Sequence, residues 1–173
     1  GSTDIQSIEV LKKLETKHPI NVYRKQNEGL PKARNYGAEK ATGYYLAFLD
    51  ADDTIEKSYY KKAISVLSNY SNIHFVGCWT KYTGNSKGNW PTFNPEPPYL
   101  LIHNMINSSA LVYRKKSFIV AGLNNPNMEY GMEDWDSVIS MIKHNYFGVV
   151  LPELLFNYRI RKGSMARSFT EIK

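Results

Sequence analysis

A chain of 173 residues, 42% hydrophobic and 22% charged, is long enough to bury the core of one domain and too ordinary in composition for a disordered or repetitive scaffold. Its net charge of +6 favours anionic partners such as nucleoside diphosphates, nucleic acid or an acidic lipid surface, without choosing among them. The single cysteine, Cys78, excludes an internal disulfide and fits a reducing compartment; no Cys or His grouping offers a zinc site, and no apolar run approaches the ~20 residues of a membrane helix.

Ile5, Ile8, Leu11 and Leu14 recur every three residues behind Thr3 or Asp4, which predicts an amphipathic helix to about residue 18. Ile20, Val22 and Tyr23 predict a short strand, and Gly29 a sharp turn before a helix opened by Pro31 and favoured by Ala33, Ala38 and Ala41. An apolar run over 44–49 reads as a buried strand, and it ends abruptly in Asp50-Ala51-Asp52-Asp53. A helix over 58–68 and a strand over 73–82 follow. The Gly-, Asn- and Pro-rich stretch 83–98 reads as a long surface loop. A strand over 109–114, a short helix over 116–121 and a helix from Glu133 to about residue 144 come next. Two closing strands are expected over 147–151 and 154–160. The alternation in the first half argues for an α/β fold whose mostly parallel central sheet carries helices on both faces.

The carboxylates are the least evenly spread residues. Of six aspartates, three fall at Asp50, Asp52 and Asp53, and two, Asp134 and Asp136, flank a helix start beside Glu133. Three aspartates within four positions repel one another, so either one pKa rises or a cation joins them. Hard oxygen donors at a strand's carboxyl end suit Mg or Mn, which complete their shell with water and substrate phosphates. The plain alternative is an acidic turn capping the next helix. Asp134, with Glu133 second, is the candidate base for deprotonating an acceptor hydroxyl, although acids at a helix start are also ordinary capping chemistry. Asn27, Gly29 and Arg34 combine a glycine turn, a helix start and a cation suited to an anion.

The run Asn27-x-Gly29-x-x-x-Ala33-Arg34-Asn35-x-Gly37, followed by Ala41-x-Gly43-x-Tyr45-x-x-Phe48-Leu49-Asp50-Ala51-Asp52-Asp53, closely resembles the central signature of family 2 glycosyltransferases with the GT-A fold. Gly131-x-Glu133-Asp134-Trp135-Asp136 and Tyr158-Arg159-x-Arg161-x-Gly163-Ser164-Met165 look like the family's acidic helix start and its carboxyl-terminal loop. The resemblance implies inverting transfer of a sugar from a nucleoside-diphosphate donor, commonly a UDP-sugar, to a hydroxyl of a glycan or lipid-linked acceptor, as in cell-surface polysaccharide biosynthesis. It implies that Asp52 ligates a Mn or Mg ion, with Asp50 on the ion through water or on the ribose, and that Asp134 is the base. Asn27, Gly29, Arg34, Asp50, Arg159, Arg161 and Ser164 would lie along the donor.

The resemblance further implies one glycosyltransferase-like domain over 1–173, a nucleotide and metal half over 1–82 and an acceptor half over 83–173. Gly1-Ser2-Thr3-Asp4 resembles the tail of an early family motif, so the first strands of the nucleotide half are expected to be missing and the chain to be an N-terminally shortened fragment, with activity of its own in doubt. The place of work implied is the cytoplasm, or the inner face of a membrane. A non-catalytic nucleotide- or carbohydrate-binding module of the same fold is the main rival, and nucleotidyl transfer a third reading. Nucleic-acid binding is weaker, because the basic residues gather on no one element. Among the aromatics, Trp90 and Trp135 are the candidates for contacting sugar; Cys78 reads as a buried small hydrophobe and His103 as a structural histidine.

Overall fold

The computed structural model describes residues 3–129 and 131–162. In chain order the elements are α1 (Ile5–Glu15), α2 (Leu30–Lys40), β1 (Tyr45–Ala47), β2 (Thr54–Ile55), α3 (Tyr59–Asn69), β3 (Ile73–Gly84), β4 (Gly88–Trp90), β5 (Val112–Arg114), α4 (Lys115–Val120), α5 (Glu133–Lys143) and β6 (Phe147–Ile160).

Local chemistry sets the helix starts. Asp4 caps α1 by accepting from the Ser7 backbone N–H at 2.7 Å. Gly29, at φ 88°, takes a backbone conformation that side-chain-bearing residues rarely adopt, and Pro31 fits the first turn of α2. Buried stripes then orient the helices: Pro31, Arg34 and Ala38 on α2; Tyr59, Ala63 and Leu67 on α3; Glu133, Ser137, Val138 and Met141 on α5.

The strands run in the order β1-β5-β3-β6-β2, with β4 paired to β3. Side chains alternate between the two faces of this sheet. Leu46, Phe75 and Tyr113 face a core shared with Ala38, Phe118, Val138 and Met141, while Val76, Cys78, Val112 and Phe156 face one shared with Tyr59, Ala63 and Leu67. Helices thus cover both faces, as the alternation predicts. Buried Tyr59 donates its hydroxyl to the carbonyls of Ala110, at 2.6 Å, and Val76, at 3.1 Å, tying α3 to the sheet.

Strand direction departs from the expected mostly parallel sheet. Among the described residues only the long β3–β6 pairing is parallel; β1–β5, β3–β5, β3–β4 and β2–β6 are antiparallel. The β1-α3-β3 alternation does leave β1 and β3 pointing the same way, but β5 inserts between them in the opposite sense. Three local expectations also change. The 83–98 stretch contains β4, which turns back on β3 through glycines Gly84 and Gly88, both at positive φ. The two closing strands are one, β6, with a register shift against Cys78 and Trp79 that absorbs Pro152 and Glu153. No strand forms over 20–23: Ile20 and Tyr23 stay about half exposed, and no described strand lies beside them to accept pairing.

Candidate active site

Because β1, β3 and β6 point the same way, their carboxyl ends share one edge, and the chain leaves that edge at the acidic run after β1 and at Arg159 and Arg161 at the end of β6. A cleft of about 480 Å³ opens there. Asp50, Asp52, Glu133, Asp134, Arg159 and Arg161 all line it, so residues more than 100 positions apart meet in one place.

The turn after β1 is closed by the Asp53 N–H donating to the Asp50 carbonyl at 3.1 Å. Asp53 then points inward, almost fully buried, and its Oδ1 accepts the Arg159 backbone N–H at 2.7 Å. Burial raises its pKa to about 6, the Arg159 hydrogen bond opposes that rise, and the charges of Asp52 and Asp50 add to it. Burial, and only secondarily repulsion within the acidic run, thus raises the third member. With β2 laid against β6, the pair Asp53–Arg159 fixes the acidic turn to the strand end that carries the two arginines.

Arg34 reaches from α2 between two carboxylates. Its guanidinium donates to Glu133 Oε1 at 2.6 Å and to Asp50 Oδ1 at 2.9 Å, and it sits over the Phe48 ring at 5.7 Å. Arg34 and Glu133 are both buried. Burial works against the Arg34 charge, yet Asp50, Asp134 and Glu133 together hold its pKa above the ordinary value. Burial, then the neighbouring Asp134 charge, lifts the Glu133 carboxyl above the usual range, while Arg34 pulls it back.

Asp134 is one residue further along α5 and is free of that ion pair. Gly131, at φ 117°, and Met132, at φ 67°, turn the chain sharply into the helix, so that Glu133 and Asp134 both reach the cleft, Glu133 buried against Arg34. Burial raises the Asp134 pKa; Arg34 and hydrogen bonds from the Trp135 N–H and Ser108 oppose it. A carboxylate with a raised pKa is suited to taking a proton from a hydroxyl.

Asp52 Oδ2 lies 2.6 Å from the Arg161 guanidinium, so a cationic group already occupies the position beside this carboxylate. Among the described residues no three His, Cys, Asp or Glu side chains converge on one point. Asp50 and Asp52 nevertheless fit a divalent ion of the Mg type, which takes one or two carboxylates and draws its remaining ligands from phosphates and water.

Two expected donor residues are placed away from the cleft lining: Asn27 Oδ1 accepts the Gly29 N–H at 3.2 Å, and the pair shapes the start of α2. Ser164 lies outside the described residues. Trp135 packs against the core and donates its indole N–H to the Leu100 carbonyl at 2.9 Å, whereas Trp90 lines the cleft. His103 is exposed, and Cys78 is buried with its thiol pushed up to about 12. Sequence reasoning missed Tyr82, Asn104, Asn107 and Tyr158, all in the lining. The alternation of β3 and β6 carried a signal for the tyrosines; nothing local marked the asparagines.

A family model described as glycosyl transferase family 2 matches residues 1–121. The chain belongs to this family. Over 194 aligned residues this family 2 chain is 27% identical to glycosyltransferase GlyA of Streptococcus pneumoniae, covering 99% of itself and 27% of that protein. Its fold is similar to S. aureus TarS 1-349 in complex with UDP-GlcNAc, with a TM-score of 0.74 at 20% identity, over 96% of this chain and 49% of the other. It is also similar to the mannosyltransferase PcManGT from Pyrobaculum calidifontis in complex with GDP-Man and Mn2+, with a TM-score of 0.68 at 17% identity, over 95% and 47%. The chain thus spans about a quarter of GlyA and about half of each of these structures. These likenesses bear out the family and the GT-A fold read from the motifs.

Proposed function

We propose that this family 2 chain provides the catalytic site for inverting transfer of a sugar from a nucleoside-diphosphate donor, a UDP-sugar by preference, to an acceptor hydroxyl. The observation that supports this most is the gathering of Asp50, Asp52, Asp134, Arg159 and Arg161 around one cleft. The complexes of TarS with UDP-GlcNAc and of PcManGT with GDP-Man support a nucleotide-sugar as the ligand class.

Asp134 accepts the proton of the acceptor hydroxyl as its oxygen attacks the anomeric carbon. The carbon–oxygen bond to the diphosphate breaks, and its electron pair leaves with the phosphate oxygen. Arg159 and Arg161, which line the cleft, would partner that negative charge. Asp52, with Asp50, would hold a Mn or Mg ion, whose chemistry is to neutralise the leaving diphosphate. Glu133, committed to Arg34, positions the helix start and does not act as the base. The acceptor is a glycan or lipid-linked saccharide of the cell surface, and the place of work the cytoplasm at a membrane's inner face. No helix among the described residues is long and apolar enough to cross that membrane.

Asp134→Asn tests the assignment. The variant is expected to keep its affinity for UDP with Mn2+ within twofold of the unaltered protein while sugar transfer falls at least about a hundredfold. Unchanged turnover would remove Asp134 from the reaction.

A further inference from the structure

The lining of the cleft divides into two chemical kinds. The acids and arginines come from the turn after β1, the start of α5 and the end of β6. A second group, Trp90, Asn104, Asn107, Ser108 and Ser109, comes from β4 and the segment before β5 and contains no charged side chain. Phosphates belong with the first group; the second suits a neutral ligand.

Two features of the neutral group lack partners. Of the three tryptophans, Trp79 donates its indole N–H to the Thr92 carbonyl at 3.2 Å and Trp135 to that of Leu100 at 2.9 Å. The Trp90 indole N–H has no such partner among the described residues, and the side chain stands half-buried at the cleft. Asn104 Oδ1 is buried without a hydrogen bond, and the Asn104 amide has only the Ser108 hydroxyl, at 3.4 Å. A desolvated carbonyl oxygen with no donor is costly to hold, and an amide kept by one long bond turns easily about its last torsion. An amide oxygen accepts a hydrogen bond from O–H or N–H and has nothing to offer a phosphate oxygen.

The neighbouring polar groups bond to one another. Trp90 stands opposite Thr80 in the β3–β4 ladder, Thr80 Oγ1 accepts from Asn107 Nδ2 at 2.9 Å, and Asn107 Oδ1 accepts from Ser109 at 2.7 Å. Ser108 and Asp134 line the same cleft, which puts the neutral group on one wall with the base.

We propose that Trp90, Asn104 and Ser108 form the acceptor subsite, which takes a neutral, hydroxyl-rich sugar ring. The apolar face of the ring stacks on the Trp90 indole, its hydroxyls donate to Asn104, and one hydroxyl is presented to Asp134. This inference rests on the glycosyl-transfer reading above.

Saturation-transfer-difference NMR on the intact protein, with free glucose, galactose and N-acetylglucosamine in turn beside UDP and Mn2+, tests it. At least one sugar is expected to show saturation of its ring protons. That signal should fall at least fivefold in Trp90→Ala and Asn104→Ala and persist in Trp90→Phe, with UDP affinity within twofold throughout as a check on folding. No saturation from any sugar, or saturation indifferent to Trp90→Ala and Asn104→Ala, would overturn the subsite. Displacement of the sugar by UDP-glucose or UDP-N-acetylglucosamine, but not by UDP, would assign the ring to the donor and overturn it as an acceptor subsite. Failure of UDP to bind overturns the glycosyl-transfer reading instead; sugar saturation that still depends on Trp90 and Asn104 would then support a carbohydrate site on its own.

Discussion

Arg34 shows how one residue can be legible in type and not in role. The motif marks a cation beside a glycine turn and suggests an anion ligand, but its two partners, Asp50 and Glu133, lie 16 and 99 positions away. Only the tertiary structure brings them into reach. Removing the guanidinium leaves a buried carboxylate unpaired, which typically costs about 3–5 kcal/mol. Arg34→Met should lose that much stability in urea denaturation, and adding Glu133→Gln should restore most of it; a loss below about 1 kcal/mol would show that the pair is not structurally important. Asp53 makes the complementary case, since the acidic run was readable and the member that folding buries was not. Its folded pKa of about 6 stands above the ordinary aspartate value of 3.8, so the folded state binds a proton more tightly than the unfolded chain between those limits. The stability contributed by protonation is present at low pH and is lost as pH rises through about 6. Asp53→Asn, which keeps an oxygen for the Arg159 N–H, should therefore gain in Tm relative to the unaltered protein as pH rises from 4 to 7. A difference constant across that range would contradict the assignment.

At the scale of elements, periodicity found the helices that pack on the sheet and misread the connections around it. The stripes on α3 and α5 follow from apolar residues at helical spacing, which a one-dimensional pattern contains. Pro152 has the local look of a strand break, yet β6 continues past it because the pairing with β3 slips there instead of ending. β4 is similarly invisible: Gly88-Asn89-Trp90 has no strand signal of its own and is held by the edge that β3 offers. The long β3–β6 ladder also explains Gly148. A Cβ on that residue would drive into the buried Phe75 ring. Gly148→Ala should destabilise by about 1–3 kcal/mol, the usual cost of overpacking a core. Thermal unfolding unchanged by the substitution would mean that the β3–β6 contact is looser than described.

For the molecule as a whole, the order of elements was enough to predict an α/β sheet with the acidic run at its carboxyl edge, where the cleft opens, because that rule depends on where strands end and not on how each neighbour runs. Strand direction was not legible, since β5 enters between β1 and β3 from a segment more than 25 residues beyond β3. The same long-range closure makes the cleft: the acidic turn, the α5 start and the β6 end are distant in sequence and meet only when the sheet is complete. The proposed transfer depends on Asp52 and its neighbours serving a diphosphate through a divalent cation. Calorimetric titration of UDP into the intact protein, with Mn2+ and with the metal chelated, and again into Asp52→Ala, tests this most directly. Affinity should fall at least tenfold on chelation and again in Asp52→Ala with Mn2+ present; equal affinity in all three titrations would contradict it.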